Sequence, residues 1–312
     1  MSPSADPSLR RVWRPARPLD LAATWGTLRR GAGDPSWLAT GGCLWRALAT
    51  PQGPLTLRVR VDVAEGRVHA RAWGLPEATG PVLDRLPRML GEDDDAGGFQ
   101  PRHDVLQRAL RLRPGWRVPA TGLVLEALVP AVIEQKVTGQ EAFGGQRRLV
   151  RRHGTPAPGP GAALGLVAPP SVEVLRALPS WEWLQLGVSP QRADTVMRVL
   201  RVADRLDELP RMTLAAARRR MTALPGVGVW TAAETAQRAL GDADAVSFGD
   251  YHVAKNIGWA LTGAEVDDAG LAELLEPYRG HRYRVQRLLE LTAAGRPRRG
   301  PRMAPRAHLP TR

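Results

Sequence analysis

Apolar positions along the chain change period twice. Over residues 19–30, Leu21, Trp25 and Leu28 recur at helical spacing. Between 55 and 63 the period falls to two, with Leu55, Leu57, Val59, Val61 and Val63 alternating along the run. After the turn Ala64-Glu65-Gly66, Val68, Ala70 and Ala72 repeat it, and 43–49 forms another strand-like run. This predicts three antiparallel strands with one buried face. A short helix over 80–90 is expected to cover that face, and Glu92-Asp93-Asp94-Asp95 to follow as a solvated acidic loop. From Phe99 onward the spacing is helical. Helices are expected over 105–112, 123–150, 171–178, 192–206, 213–221, 229–240, 251–261, 271–275 and 282–291. Within 123–150, Pro130 marks a kink or the start of a second helix. The Gly/Pro/Ala-rich stretch 154–170 reads as an irregular loop, and Trp181, Trp183 and Leu186 as core. The fold class is therefore mainly α, with a small α+β domain over 10–95 ahead of a helical body over 96–294. Residues 1–9 and the basic stretch 295–312 are expected to be disordered tails.

The helix over 213–221 and the one beginning near Val229 are joined by Leu224-Pro225-Gly226-Val227-Gly228. Gly226 and Gly228 allow a very tight turn. Such a turn opening into a helix presents free N–H groups at the positive end of the helix dipole, a ready site for phosphate. A lone carboxylate, Asp250, precedes a later helix. Its simplest role is an N-cap.

Charge sharpens this picture. The formal net charge is +13 and the isoelectric point about 11.2, which fits a polyanionic partner, although part of the excess lies in the tails. The basic residues are almost all arginine; only Lys136 and Lys255 are lysines, a bias that fits a GC-rich genome. The single cysteine, Cys43, excludes an internal disulfide and a four-cysteine iron–sulfur site. No apolar run is long enough to span a membrane and no signal peptide is visible, so a cytoplasmic, nucleoid-associated monomer is expected.

The hairpin, followed by Trp230-Thr231-Ala232 and then Gly249-Asp250-Tyr251, resembles the helix-hairpin-helix (HhH-GPD) DNA glycosylase superfamily. Within it the stretch is similar to the 3-methyladenine DNA glycosylase II, or alkylpurine glycosylase, branch. Three further segments agree in order: 114–119 (PGWRVP), 133–138 (IEQKVT), and Leu186-Gly187 with Arg192-Ala193. The small leading α+β domain also resembles that branch. The resemblance implies a two-lobed body, lobe one over about 123–241 and lobe two over about 96–122 plus 242–294. It implies Asp250 as the catalytic carboxylate and Trp230, Glu234 and Tyr251 around the base. Gln135, Lys136, Gly226, Val227, Gly228 and Thr231 would contact DNA. It further implies a monovalent cation, bridging to phosphate, on the main-chain carbonyls of Thr222, Leu224 and Val227, with no other cofactor. Three positions depart from the family. Lys136 stands where a leucine wedge is usual, Glu234 where a tyrosine is, there to pair with a cationic base or with an arginine, and Leu289-Glu290-Leu291 supplies no second pocket aromatic.

The reaction dictates what such a site needs. A base buried in duplex DNA must be flipped out and the gap filled. Cleaving an N-glycosidic bond leaves an oxocarbenium-like sugar, which a nearby carboxylate stabilises. In relatives that also cut the backbone, a lysine forms a Schiff base with the sugar; here that position is Trp230, which cannot. An indole face instead attracts a cationic alkylated purine. The expected function is a monofunctional base-excision repair glycosylase for alkylated purines, acting on double-stranded DNA with damaged bases. The alternatives are a non-enzymatic hairpin DNA-binding protein and a bifunctional glycosylase/lyase.

Overall fold

The computed structural model describes residues 8–296. Five strands form an antiparallel sheet: β1 (Ser8–Trp13), β2 (Trp37–Thr40), β3 (Cys43–Thr50), β4 (Gly53–Asp62) and β5 (Arg67–Gly74), in the order β1-β5-β4-β3-β2. The three expected strands are β3, β4 and β5. Their register sets Leu48 opposite Leu55, Leu57 opposite Ala72 and Val59 opposite Ala70. Helix Pro76–Met89 covers that face and buries Val82, Leu83, Leu86 and Met89. It begins at Pro76 rather than at residue 80, because a proline at the first helical position presets φ and needs no N–H partner.

Two strands escaped the pattern. Both are edges: β1 carries Arg10 and Arg11, and β2 is only four residues long. Charge and brevity keep edges from further pairing, and they also erase alternation. Residues 8 and 9, expected in a tail, therefore belong to the sheet. The remainder of that tail, and 297–312 of the expected basic tail, lie outside the described residues.

The second sheet face is covered as well. The stretch 154–170 folds over it as a small hairpin, β6 (Thr155–Pro156) paired with β7 (Val167–Ala168). Ala157, Leu166 and Ala168 pack on Ala47, and Thr56 Oγ1 donates to the Pro158 carbonyl at 2.6 Å. The acidic run is likewise not a solvated loop. Asp94 is buried, accepting from Arg284 at 2.6 and 3.0 Å and from the Val118 N–H at 3.0 Å. Glu92 accepts from Arg117 at 2.9 Å. The run thus ties the sheet-bearing unit to the final helix, Arg282–Leu291.

The helical body holds two cores. Helix Val124–Ile133 is central to one, with Leu128, Val132 and Ile133 beside Val196, Val199, Ala232, Ala233 and Ala236. In the other, Leu106 and Ala109 join Ile257, Leu271, Leu275, Val285 and Leu288. The chain contributes to this second core both before and after it builds the first. Helix Val124–Ile133 runs through Pro130, and the break falls at 134–138 instead. Thr138 restarts the chain with a capping box, its hydroxyl accepting from the Glu141 N–H while the Glu141 carboxylate accepts from the Thr138 N–H. Lys136, inside the break, has a φ of +54°, a left-handed value that a non-glycine residue seldom adopts. Trp183 and Leu186 are buried as expected, but Trp181 is 57% exposed. No helix among the described residues is long and apolar enough to cross a membrane.

Candidate active site

Helices Leu214–Thr222 and Val229–Thr235 flank the hairpin. The Val227 N–H closes the turn on the Leu224 carbonyl at 2.9 Å, and buried Val227 anchors it in the first core. Gly226 has a φ of +92°, and a Cβ there would collide with the Thr195 side chain. Gly228 differs from expectation: its φ of −88° suits any residue, and a Cβ would meet nothing within 4 Å. Its glycine leaves open space above the turn rather than relieving strain. Among the described residues, the N–H groups of Gly228 and Val229 have no acceptor, and both residues are exposed. Gly226→Ala is therefore expected to cost about 1–3 kcal/mol of stability, and Gly228→Ala less than about 0.5 kcal/mol; thermal melts of the two variants check this.

Gln135 and Lys136 come to the hairpin across a long sequence separation. Gln135 Nε2 donates to the Gly226 carbonyl at 2.9 Å and to Thr231 Oγ1 at 2.8 Å. These bonds tie the left-handed bend to the hairpin, and Lys136, at the bend, is exposed.

Trp230 meets Asp250. The indole Nε1–H donates to Asp250 Oδ2 at 3.3 Å, while Asp250 Oδ1 accepts from the N–H groups of His252 at 2.7 Å and Val253 at 3.1 Å. The helix that follows is Val253–Thr262, starting later than residue 251. Asp250 is thus a cap through one oxygen and presents the other to Trp230. Trp230 is half-buried and belongs to neither helical core. Tyr251 is 70% exposed; Lys255 Nζ sits 4.3 Å from its ring centroid and His252 stands edge-on at 4.8 Å. A cavity of about 310 Å³ lined by Arg88, Asp94, Leu209 and Leu240 lies elsewhere and includes neither Trp230 nor Asp250.

The pocket role expected of Glu234 meets a different geometry. Glu234 is buried, and both its oxygens are engaged, one by Arg238 at 2.7 Å and one by Ser247 at 2.6 Å. Beside it, Arg30 bonds Glu134 at 2.8 and 3.1 Å. Burial pushes the Glu134 carboxyl up and the Arg30 guanidinium down, against their mutual attraction. Burial also opposes ionisation of Glu234, but Arg238 and Ser247 outweigh it and hold that carboxyl below the usual range. Asp242 and Asp244 pair with Arg218 at 3.0 Å and Arg282 at 2.5 Å. Sequence reading missed Arg30, Arg238, Ser247 and Gln286. The spacing Glu234–Arg238, four apart on a helix, was the one local signal available.

No protein-family model matches the chain. Over 169 residues, 54% of the chain, it is 35% identical to the probable bifunctional transcriptional activator/DNA repair enzyme AlkA of Mycobacterium tuberculosis. The match covers 31% of that protein, so the chain spans about a third of the length of the curated relatives it matches. Among solved structures, a 3-methyladenine DNA-glycosylase from Archaeoglobus fulgidus aligns with a TM-score of 0.71 at 17% identity, covering 91% of this chain and 98% of that one. An 8-oxoguanine glycosylase/lyase from Clostridium acetobutylicum aligns with a TM-score of 0.67 at 14% identity, covering 90% and 95%. At such identities the likeness is one of fold. The backbone therefore has the fold of these glycosylases, and about half of the chain is similar in sequence to the AlkA protein.

Proposed function

We propose that the protein is a monofunctional DNA glycosylase that hydrolyses the N-glycosidic bond of alkylated purines in duplex DNA. The observation that carries the reading is the Trp230 indole bonded to the Asp250 carboxylate, directly after a hairpin whose Gly228 and Val229 N–H groups have no acceptor among the described residues. Phosphate seats on those N–H groups. Lys136, held out at the left-handed bend, fills the gap left by the flipped nucleotide and meets a phosphate with its ammonium. The extruded base stacks on Trp230. As the bond to the sugar breaks, Asp250 Oδ2 faces the developing positive charge and orients the attacking water. Oδ1 stays fixed to the helix start, so the carboxylate needs no reorganisation during the step.

The hairpin also fits a monovalent cation. The Thr222 and Val227 carbonyls accept no hydrogen bond among the described residues, and the Leu224 carbonyl accepts only that of Val227. These three would hold the ion, which when bound supplies positive charge toward a backbone phosphate. Support for monofunctional chemistry comes from Trp230 in place of a lysine; the two lysines of the chain, Lys136 and Lys255, lie on the wedge bend and against Tyr251.

Incubating methylated duplex DNA with the protein and separating the released bases tests the reading. Cationic 3-methyladenine-like bases are expected in the supernatant, and borohydride is expected to trap no protein–DNA adduct. Trp230→Ala should slow excision of cationic bases about 2- to 30-fold more than that of neutral hypoxanthine, the factor that a cation–π term of about 0.5–2 kcal/mol represents. Duplex binding without base release would favour a non-enzymatic binder. An adduct lost on Lys255→Ala or Lys136→Ala would establish a lyase.

A further inference from the structure

We propose that Glu234 is a positioning residue: through Ser247 it fixes the loop that carries Asp250, and it does not read the base. The inference rests on the function proposed above. Trp230 and Glu234 lie four apart on helix Val229–Thr235 and so share one side of it. The segment 247–250 hangs from that side at two points. Ser247 Oγ donates to Glu234 Oε1 at 2.6 Å at one end, and Trp230 Nε1 donates to Asp250 Oδ2 at 3.3 Å at the other. Two anchors on one rigid element set both the place and the orientation of the loop between them.

Ser247 has no spare capacity to turn away. Its hydroxyl donates once, to Glu234, and accepts twice, from Gln237 at 2.8 Å and Gln286 at 3.2 Å. Its N–H donates to Gln286 Oε1 at 3.1 Å, and its carbonyl accepts the Asp250 N–H at 3.2 Å. Ser247 is 1% exposed. Glu234 is held from behind by Arg238, whose Nε donates to the Thr27 carbonyl at 2.9 Å in the sheet-bearing unit. The helix widens to a π-turn over Ala236–Leu240, which carries Gln237 toward Ser247 and Arg238 toward Thr27. An ionised carboxylate accepts from Ser247 and Arg238 through separate oxygens and neutralises the arginine; a tyrosine, with one neutral hydroxyl, does not. With both oxygens turned to Ser247 and Arg238 and the residue 8% exposed, Glu234 is not presented to a base.

Ser247→Ala is the decisive variant, because it deletes one hydroxyl and leaves the Glu234–Arg238 pair intact. In single-turnover excision from a duplex with one N7-methylated guanine, its rate is expected to fall about 10- to 100-fold, the loss that a misplaced catalytic group brings. Its dissociation constant for a duplex with a stable abasic-site analogue should change less than about twofold, the kind of non-additive split that separates placement from holding. In an Asp250→Asn background the same substitution should lower the residual rate by less than about twofold, since it acts only through that carboxylate. Glu234→Met combined with Arg238→Met removes both buried charges together, so neither is left unpaired, takes away the acceptor for Ser247, and should reproduce the loss with duplex binding kept. An unchanged rate in Ser247→Ala, or an equal loss with and without Asp250, overturns the proposal while leaving the glycosylase reading intact. If the unaltered protein releases no base at all, the glycosylase reading falls and the proposal with it.

Discussion

Asp250→Asn is expected to fold as the parent does and to release damaged bases about 100- to 1000-fold more slowly, the scale set by removing one preorganised electrostatic group from a reaction centre. The asparagine carbonyl can still accept from the His252 and Val253 N–H groups, so the helix start keeps its cap. The other half of the amide faces the Trp230 indole N–H, where a donor replaces an acceptor. That bond is lost, and so is the negative charge proposed to face the sugar. Affinity for a duplex with a stable abasic-site analogue should survive, because the hairpin proposed to grip phosphate is untouched. Single-turnover kinetics and a binding titration on the same preparation separate the two effects. A rate close to that of the parent would remove Asp250 from the reaction.

Asp94→Ala should be the most damaging single change to the fold. Arg284 is almost fully buried, and its two bonds to Asp94 are what compensate for taking its charge out of water. Removing the carboxylate leaves that guanidinium without its counter-charge, with only the Asp95 carbonyl and His281 as hydrogen-bond partners, and the Val118 N–H without its acceptor. Breaking one side of a buried pair costs about 3–5 kcal/mol. Denaturant unfolding should show a lower midpoint, and Asp94→Asn, which keeps an acceptor for Val118, should lose less. A midpoint unmoved by Asp94→Ala would mean that water already reaches Arg284 in the folded protein.

Both residues illustrate how legible the chain was. Asp250 stood out because a short, ordered motif surrounds it: glycines for a turn, an aromatic, then an acid before a helix. Asp94 looked like one of four consecutive acids on a solvated loop, and nothing near it in sequence distinguishes it from its neighbours. Its partner is Arg284, 190 positions away. Glu234 shows the intermediate case. Its link to Arg238 obeys helical spacing and could be read locally, whereas its link to Ser247 depends on how the chain returns after Gly241. Trp181 and Trp183 are two apart in one short helix, and spacing alone did not reveal that one faces solvent while the other fills the core.

Periodicity, turn residues and the hairpin motif sufficed for the central strands, the helical body and the turn at Gly226, whereas the bond between Trp230 and Asp250 came only from the folded chain. Those features rest on interactions between near neighbours, where the geometry of a helix, strand or turn restricts which residue types work. The edge strands β1 and β2, the cover over the second sheet face and the charge partners of Asp94, Glu134 and Glu234 came only from the folded chain. Charge–charge and packing contacts between distant segments carry no period along the chain. An arginine that will be buried against a carboxylate looks, in a sequence this rich in arginine, like any other.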